Sequence, residues 1–250
     1  MSQSRLARLP PWVSHWLGYR AKPVGPLPMW KTNAWSFVSA FAGLTVVQVL
    51  FNYSHYFTSR HVPGIIASYG ASAVLVFGAI DSPLAQPRSL IFGHFFSGLT
   101  GLCITKLFSL MPDQERFNSL RWLAASLSTS TAIVIMQLTG TTHPPAGATA
   151  LLPATSLEIW DLSWYYLPIL LLSSTLMMVC ALLFNNNMHR RYPSFWFTPA
   201  PPSPAPPSPS KDAGASASPP SSSPHGPVPG GAPERMDSNL TDEKVPENAV

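Results

Sequence analysis

Thr141-Thr142-His143-Pro144-Pro145-Ala146-Gly147-Ala148-Thr149-Ala150-Leu151-Leu152 decides how the rest of this chain is read. Two prolines and a string of small residues interrupt an apolar run from Ser119 to Leu152. As one helix that run would measure about 50 Å, against a hydrocarbon core of about 30 Å. The chain must turn, and His143-Pro144-Pro145 is where it can. In hydrocarbon every backbone N–H and C=O needs an internal partner, so a break persists only where it is buried in protein or lines a wet cavity. Pro145 suits the first turn of a helix, where its missing N–H removes nothing, and the amides of Ala146, Gly147 and Ala148 are then expected to be unpaired donors. A helix start of that kind suits an anion or polar solute.

Outward from this stretch the chain is membrane-like, with 46% hydrophobic and 10% charged residues over 250. Apolar segments at Ala34–Phe51, Pro63–Ile80, Ser89–Met111, Leu120–Leu138 and Leu162–Phe184 are mostly near the roughly 20 residues a span requires. The expected fold is all-α: a polytopic membrane helical bundle of about four spanning helices plus two short re-entrant or broken helices, embedded in a lipid bilayer. Residues 1–30 form a basic, proline-containing N-terminal segment without the compact apolar core of a signal peptide. Residues 31–197 form the transmembrane domain. Residues 198–250, rich in Pro, Ser and Ala and acidic at the end, read as a disordered tail.

Several classes are excluded or disfavoured. The basic balance belongs to flanks and short loops, so nucleic acid is not an expected partner. Cys103 and Cys180 lie in apolar segments and read as small buried hydrophobes, with no metal or disulfide framework. No HExxH, Walker A or GxSxG pattern occurs, so neither an enzyme nor a cofactor is expected. No Asp or Glu lies deep in an apolar segment, which argues against a carboxylate proton relay or the usual cation site.

Lys and Arg placement orients the chain. If the segments around Gly70 and Gly147 are re-entrant, Arg5, Arg8, Arg20, Lys22 and Lys31 share a side with Lys106, Arg116 and Arg121 and with Arg190 and Arg191. Arg60 and Arg88 then face the other side. This arrangement is the most asymmetric, and it puts both termini in the cytoplasm. Letting both segments cross also keeps the termini together but moves Lys106, Arg116 and Arg121 away from them.

An internal echo supports a duplicated plan. Gly70-Ala71-Ser72-Ala73-Val74-Leu75 matches Gly147-Ala148-Thr149-Ala150-Leu151-Leu152 class by class, each between longer apolar segments. Transporters built from repeats place their sites on interrupted helices where the repeats meet.

Ser82-Pro83-Leu84-Ala85-Gln86-Pro87-Arg88, then Gly93-His94, then Thr142 to Ala150 together resemble the HPP family of integral membrane proteins. The resemblance extends from Trp30 to Thr198. Gly101 to Phe108, Arg121-Trp122-Leu123-Ala124 and Asn185 to Trp196 look most like the fungal members. It implies four membrane spans, and plastid and cyanobacterial relatives are linked to nitrite transport. Ser89, where Asn is expected after Pro-Arg, and Asp81, where Glu is commoner, depart from the pattern.

The solute-path candidates are His143, Pro144, Pro145, Ala146, Gly147 and Ala148 on the second short helix, Gly70, Ala71 and Ser72 on the first, and Arg88 and His94. His143 either caps its helix or orients a solute. His94 is a buried hydrogen-bonding group or a polar contact at membrane depth. Arg88 either pairs with Asp81 or attracts a planar anion. Gly93, Ser97 and Gly101 form a close-packing stripe first and a pore wall second. The hydroxyls of Ser126, Ser128, Thr129, Ser130 and Thr131 either line a polar path or pack helices. These readings converge on a transporter or channel for a small solute, foremost a small inorganic anion such as nitrite, with a homo-oligomer as an open state. The alternative is a non-transporting membrane scaffold or sensor whose tail recruits a polyproline-binding partner.

Overall fold

The computed structural model describes residues 6, 8–20, 25, 27–186 and 190–197. The expected tail, 198–250, lies outside the described residues. Among the described residues every regular element is helical. A short helix, α1 (Pro11–Trp16), precedes α2 (Met29–Tyr53), one turn α3 (His55–Thr58) and α4 (Ser68–Ala73), which continues as a π-helical turn over Val74–Gly78. After a 3₁₀ turn at Pro83–Ala85 come α5 (Pro87–Phe108), α6 (Gln114–Ser119) and α7 (Arg121–Thr139). The chain closes with α8 (Pro144–Thr155), α9 (Leu157–Leu162) and, after a 3₁₀ turn, α10 (Tyr166–Asn185).

Four helical stretches are long and apolar enough to cross a membrane: α2, α5, α7 and the 29 residues of Leu157–Asn185. Their boundaries follow from local chemistry. Pro28 and Pro87 stand at helix starts, where a proline loses no hydrogen bond. Gly140 ends α7 in the left-handed conformation at φ 63°. Along α2 only Ser39, Gly43, Val47 and Phe51 are buried, one residue per turn, while Phe37, Phe41, Val46 and Val49 point outward. An apolar outer face of that kind suits lipid.

Hydrogen bonds between distant residues give the direction of each segment. At the end that holds His15, Leu17 and residues 190–197, the near end, Trp35 Nε1 donates to Phe184 O at 2.7 Å and Ser36 Oγ to Phe77 O at 3.1 Å. Tyr192 OH donates to Ala85 O at 2.7 Å, and Asn185 Nδ2 to Val76 O at 2.9 Å. At the far end Arg121 Nε donates to Ala154 O at 2.8 Å, and Lys106 sits 5.0 Å above the Trp160 ring. The segment leading through α4 therefore starts at the far end and finishes at the near end, and α8 runs the opposite way.

This corrects the re-entrant arrangement favoured from charge. The two short helices are broken crossings, each about 15–20 Å of helix joined to a non-helical stretch. Lys106, Arg116 and Arg121 consequently sit at the far end with Arg60, opposite Arg20 and Arg190. The triplets α2–α4–α5 and α7–α8–α10 run in opposite senses, the arrangement of an inverted repeat. An impermeant thiol reagent should therefore label Asn118→Cys and Glu158→Cys from one side of a sealed vesicle, in a background lacking Cys103 and Cys180. Labelling from opposite sides would contradict this chain path.

Close packing around α5 fixes where the second short helix sits. A Cβ on Gly93 would lie 2.8 Å from His143 Cβ and 2.9 Å from Thr141 O, and one on Gly101 would collide with the backbone of Ala150. Ser97, between them, is buried against Met136. The small-residue stripe is thus a packing surface that lets α5 lie against α8 and α7.

Described residues of the N-terminal segment bond to the chain that follows the last span. His15 Nε2 lies 2.8 Å from Asn186 O, and Trp196 Nε1 donates to Leu17 O at 3.2 Å.

Candidate functional site: a buried histidine and hydroxyl cluster

His94 enters α5 two turns from its start, about 10 Å along the helix, and is fully buried. Its ring is bracketed by hydroxyls from the two short helices. Ser72 Oγ on α4 lies 2.8 Å from Nε2, and Thr149 Oγ1 on α8 lies 2.7 Å from Nδ1. Ser72 and Thr149 are the matched positions of the internal echo, so the two repeats meet at this imidazole. Ser72 Oγ is also 2.9 Å from His143 Nε2, while His143 Nδ1 donates to Leu84 O at 2.8 Å. Thr149 Oγ1 donates to Ser68 Oγ at 2.8 Å.

Aromatic groups close the cluster. The Tyr69 ring stacks on His94 with centroids 4.4 Å apart, and the His94 and His143 rings meet edge to face at 5.0 Å. Tyr69 OH is held by Leu170 O at 2.8 Å and Ser174 Oγ at 2.6 Å, and Tyr166 OH donates to Thr149 O at 3.2 Å. His94, His143, Ser72, Thr149, Tyr69 and Tyr166 are all 0% exposed. Polar groups buried at this depth persist because each has a partner.

The helix start itself differs from the sequence expectation. α8 begins at Pro144 with Pro145 in its first turn, so the two prolines occupy two of the positions whose amides would have been free. The third amide, Ala146 N–H, donates to His143 O at 2.9 Å. Gly147 and Ala148 fall where the helical ladder begins. The three backbone donors assigned to a solute are thus consumed by helix register. His143 does stand at the N-cap, with no side-chain capping bond, its ring turned into the cluster instead.

Among the other candidates Pro145 and Ala146 are buried. Pro144, Ala148, Gly70 and Ala71 are exposed on the outer faces of their segments. Gly147 faces α7, where Thr129 Cγ2 is the nearest side-chain atom to a hypothetical Cβ at 3.8 Å. Arg88 is committed elsewhere: its guanidinium donates to Phe197 O at 2.9 Å and to Thr139 O at the end of α7. Asp81, its expected partner, instead lends its field to Arg190, partly offsetting the downward push of burial on that guanidinium's pKa. Of the hydroxyl run, Ser126 and Ser130 are exposed and bond to carbonyls one turn back. Ser128 is buried.

Sequence reasoning missed Thr149, Ser68, Tyr69 and Tyr166. The echo pairing Ser72 with Thr149 was the available signal for the first. At the far end a cavity of about 660 Å³ opens between Arg60 and His61 on one side and Glu158 and Asp161 on the other.

A model of the HPP transmembrane region matches residues 26–193. The chain is 35% identical over 186 residues to a transmembrane protein of Dictyostelium discoideum, covering 73% of this chain and 62% of the relative. Another transmembrane protein of that organism is 38% identical over 167 residues, 65% of this chain and 50% of the relative. The chain therefore spans between half and just under two thirds of these curated relatives. No solved structure matches it. With its family model covering the spans, both short helices and the histidine cluster, this chain belongs to the HPP family of integral membrane proteins.

Proposed function

We propose that the protein carries a small solute, foremost a small inorganic anion, across its membrane without catalysing a chemical change. The observation that carries this reading is the His94, Ser72 and His143 cluster, set at membrane depth where two oppositely directed broken segments meet. A bundle held only by packing does not require two imidazoles there, and intramembrane polar groups at a repeat interface are the recurring mark of a solute site. The anion preference rests on the absence of Asp or Glu among the described residues contacting the cluster, and on donors supplied by hydroxyls and imidazoles.

Both termini are assigned to the cytoplasm. Among the described residues the near end carries Arg8, Arg20, Lys31, Arg88, Arg190 and Arg191, against Arg60, Lys106, Arg116 and Arg121 at the far end, and basic residues mark the inner side. The proline-rich segment after Thr198 is assigned to recruiting a cytoplasmic polyproline-binding partner.

The deciding experiment is uptake into liposomes by protein lacking residues 199–250, across nitrite, nitrate, formate, bicarbonate and neutral solutes. Uptake of at least one anion above protein-free liposomes is expected. Absence of flux for every solute, with monodisperse protein and intact membranes, would leave the scaffold alternative standing.

A further inference from the structure

The hydrogen bonds around His94 can be counted proton by proton. Leu84 O can only accept, so His143 Nδ1 always carries a proton. A neutral His143 therefore has a bare Nε2, which takes the single proton of Ser72 Oγ. Ser72 then has none for His94, whose Nε2 must donate to it. A neutral His94 is in turn bare at Nδ1 and needs the proton of Thr149. Yet Thr149 Oγ1 donates to Ser68 Oγ. With that bond in this direction the chain accommodates one extra proton on an imidazole, whereas with Ser68 donating to Thr149 every contact is satisfied with both rings neutral. The longer contact of Ser72 Oγ to Ser68 O at 3.3 Å would use the same hydroxyl proton.

We propose that His94, Ser72 and His143 form a proton relay that carries one proton with each monovalent anion, a role that rests on the transport reading above. In the transfer, His143 Nε2–H gives its proton to Ser72 Oγ as Ser72 gives its own to His94 Nε2. One N–H and one O–H bond break, one of each forms, and the positive charge moves from His143 to His94. Thr149 and Ser68 reverse direction when the extra proton leaves, so the cluster has a neutral and a charged arrangement with the same heavy-atom positions.

The surroundings say why an anion must accompany the proton. From α4 the cluster meets Ser68 and Tyr69, from α10 Tyr166 and Ser174, from α8 Thr149, from α5 Ser97 and from α7 Met136. The buried face of α2 offers only Ser39, Gly43, Val47 and Phe51. Of the two cations on α5, Arg88 is turned to the carbonyls of Phe197 and Thr139, and Lys106 sits at the far end over the Trp160 ring. No carboxylate neutralises a charged imidazole among these groups, and an unpaired buried cation is costly. A monovalent anion entering with the proton supplies the missing charge and makes the step electroneutral.

The test uses full-length protein in liposomes with a trapped pH dye, external nitrate or nitrite, and protein-free liposomes for background. An acidic outside should drive anion uptake with matching acidification of the lumen. Ser72→Ala should lower that uptake about 10²-fold and abolish its dependence on the proton gradient, while Ser72→Thr, which keeps the hydroxyl, retains both. A second readout is ¹⁵N NMR of histidine-labelled protein in nanodiscs. Lowering pH should add one proton shared in exchange between His94 and His143, and Ser72→Ala should uncouple the pair. Anion flux without proton movement, unchanged in Ser72→Ala, would overturn the relay, as would two imidazoles titrating independently. If no anion moves at all, the transport reading fails, and the spectrum decides the relay by itself.

Discussion

Gly101→Leu should abolish recovery of folded protein, and Gly101→Ala should lower stability by roughly 1–3 kcal/mol, the usual cost of overpacking. A Cβ at this position runs into the carbonyl of Ala150, a backbone group that cannot rotate aside as a side chain could. Relief would require α5 and α8 to separate, and that contact is what holds Thr149 within 2.7 Å of His94. Gly147→Ala is the matched control. Its Cβ meets nothing closer than Thr129 Cγ2 at 3.8 Å, and replacing a helical glycine gains up to about 1 kcal/mol from the lower backbone entropy of the unfolded chain. Thermal melting followed by size-exclusion fluorescence would compare the variants. Equal melting of Gly101→Ala and wild type would remove the packing account of the α5 stripe.

Arg190→Met should cost about 1.5–3 kcal/mol, the range for hydrogen bonds to a charged group. Arg190 is 6% exposed and donates to Phe77 O at 2.8 Å, with Ser36 Oγ at 3.4 Å. Together with Asn185, which donates to Val76 O, it satisfies the carbonyls at the end of the π turn that follows α4. Arg190→Lys should recover only part of the loss, because one ammonium does not reproduce the planar fork. Asn185→Ala combined with Arg190→Met should be non-additive, since both side chains secure one helix end. Additive losses measured by thermal melting would show that the two bonds act independently.

Much of this architecture is local and therefore legible in the residues. Apolar length places the spans, and the Pro144-Pro145 pair fixes a helix start, because hydration free energy and the missing proline N–H act within a few residues. The same reasoning left the Ala146 amide a free donor, whereas it bonds to His143 O. Arg88 shows a different limit. Its charge favours a pair with Asp81, but the carbonyls of Thr139 and Phe197 are brought to it by chain segments remote in sequence.

By itself the sequence determined the membrane class, the break at His143, the resemblance to the HPP family and the echo between Gly70–Leu75 and Gly147–Leu152. Hydropathy and helix breaking suffice for the membrane class and the break, whereas the resemblance and the echo rest on residue identities. Only the tertiary structure decided that both short helices cross in opposite senses, and that Ser72 and Thr149 come to opposite nitrogens of His94. Charge counts could not decide the crossing, because basic residues report which loops share a side without fixing how many segments lie between them. Nor could periodicity find the cluster, since a lone hydroxyl has no preferred face until its partner, dozens of residues away, supplies the hydrogen bond that makes burial favourable.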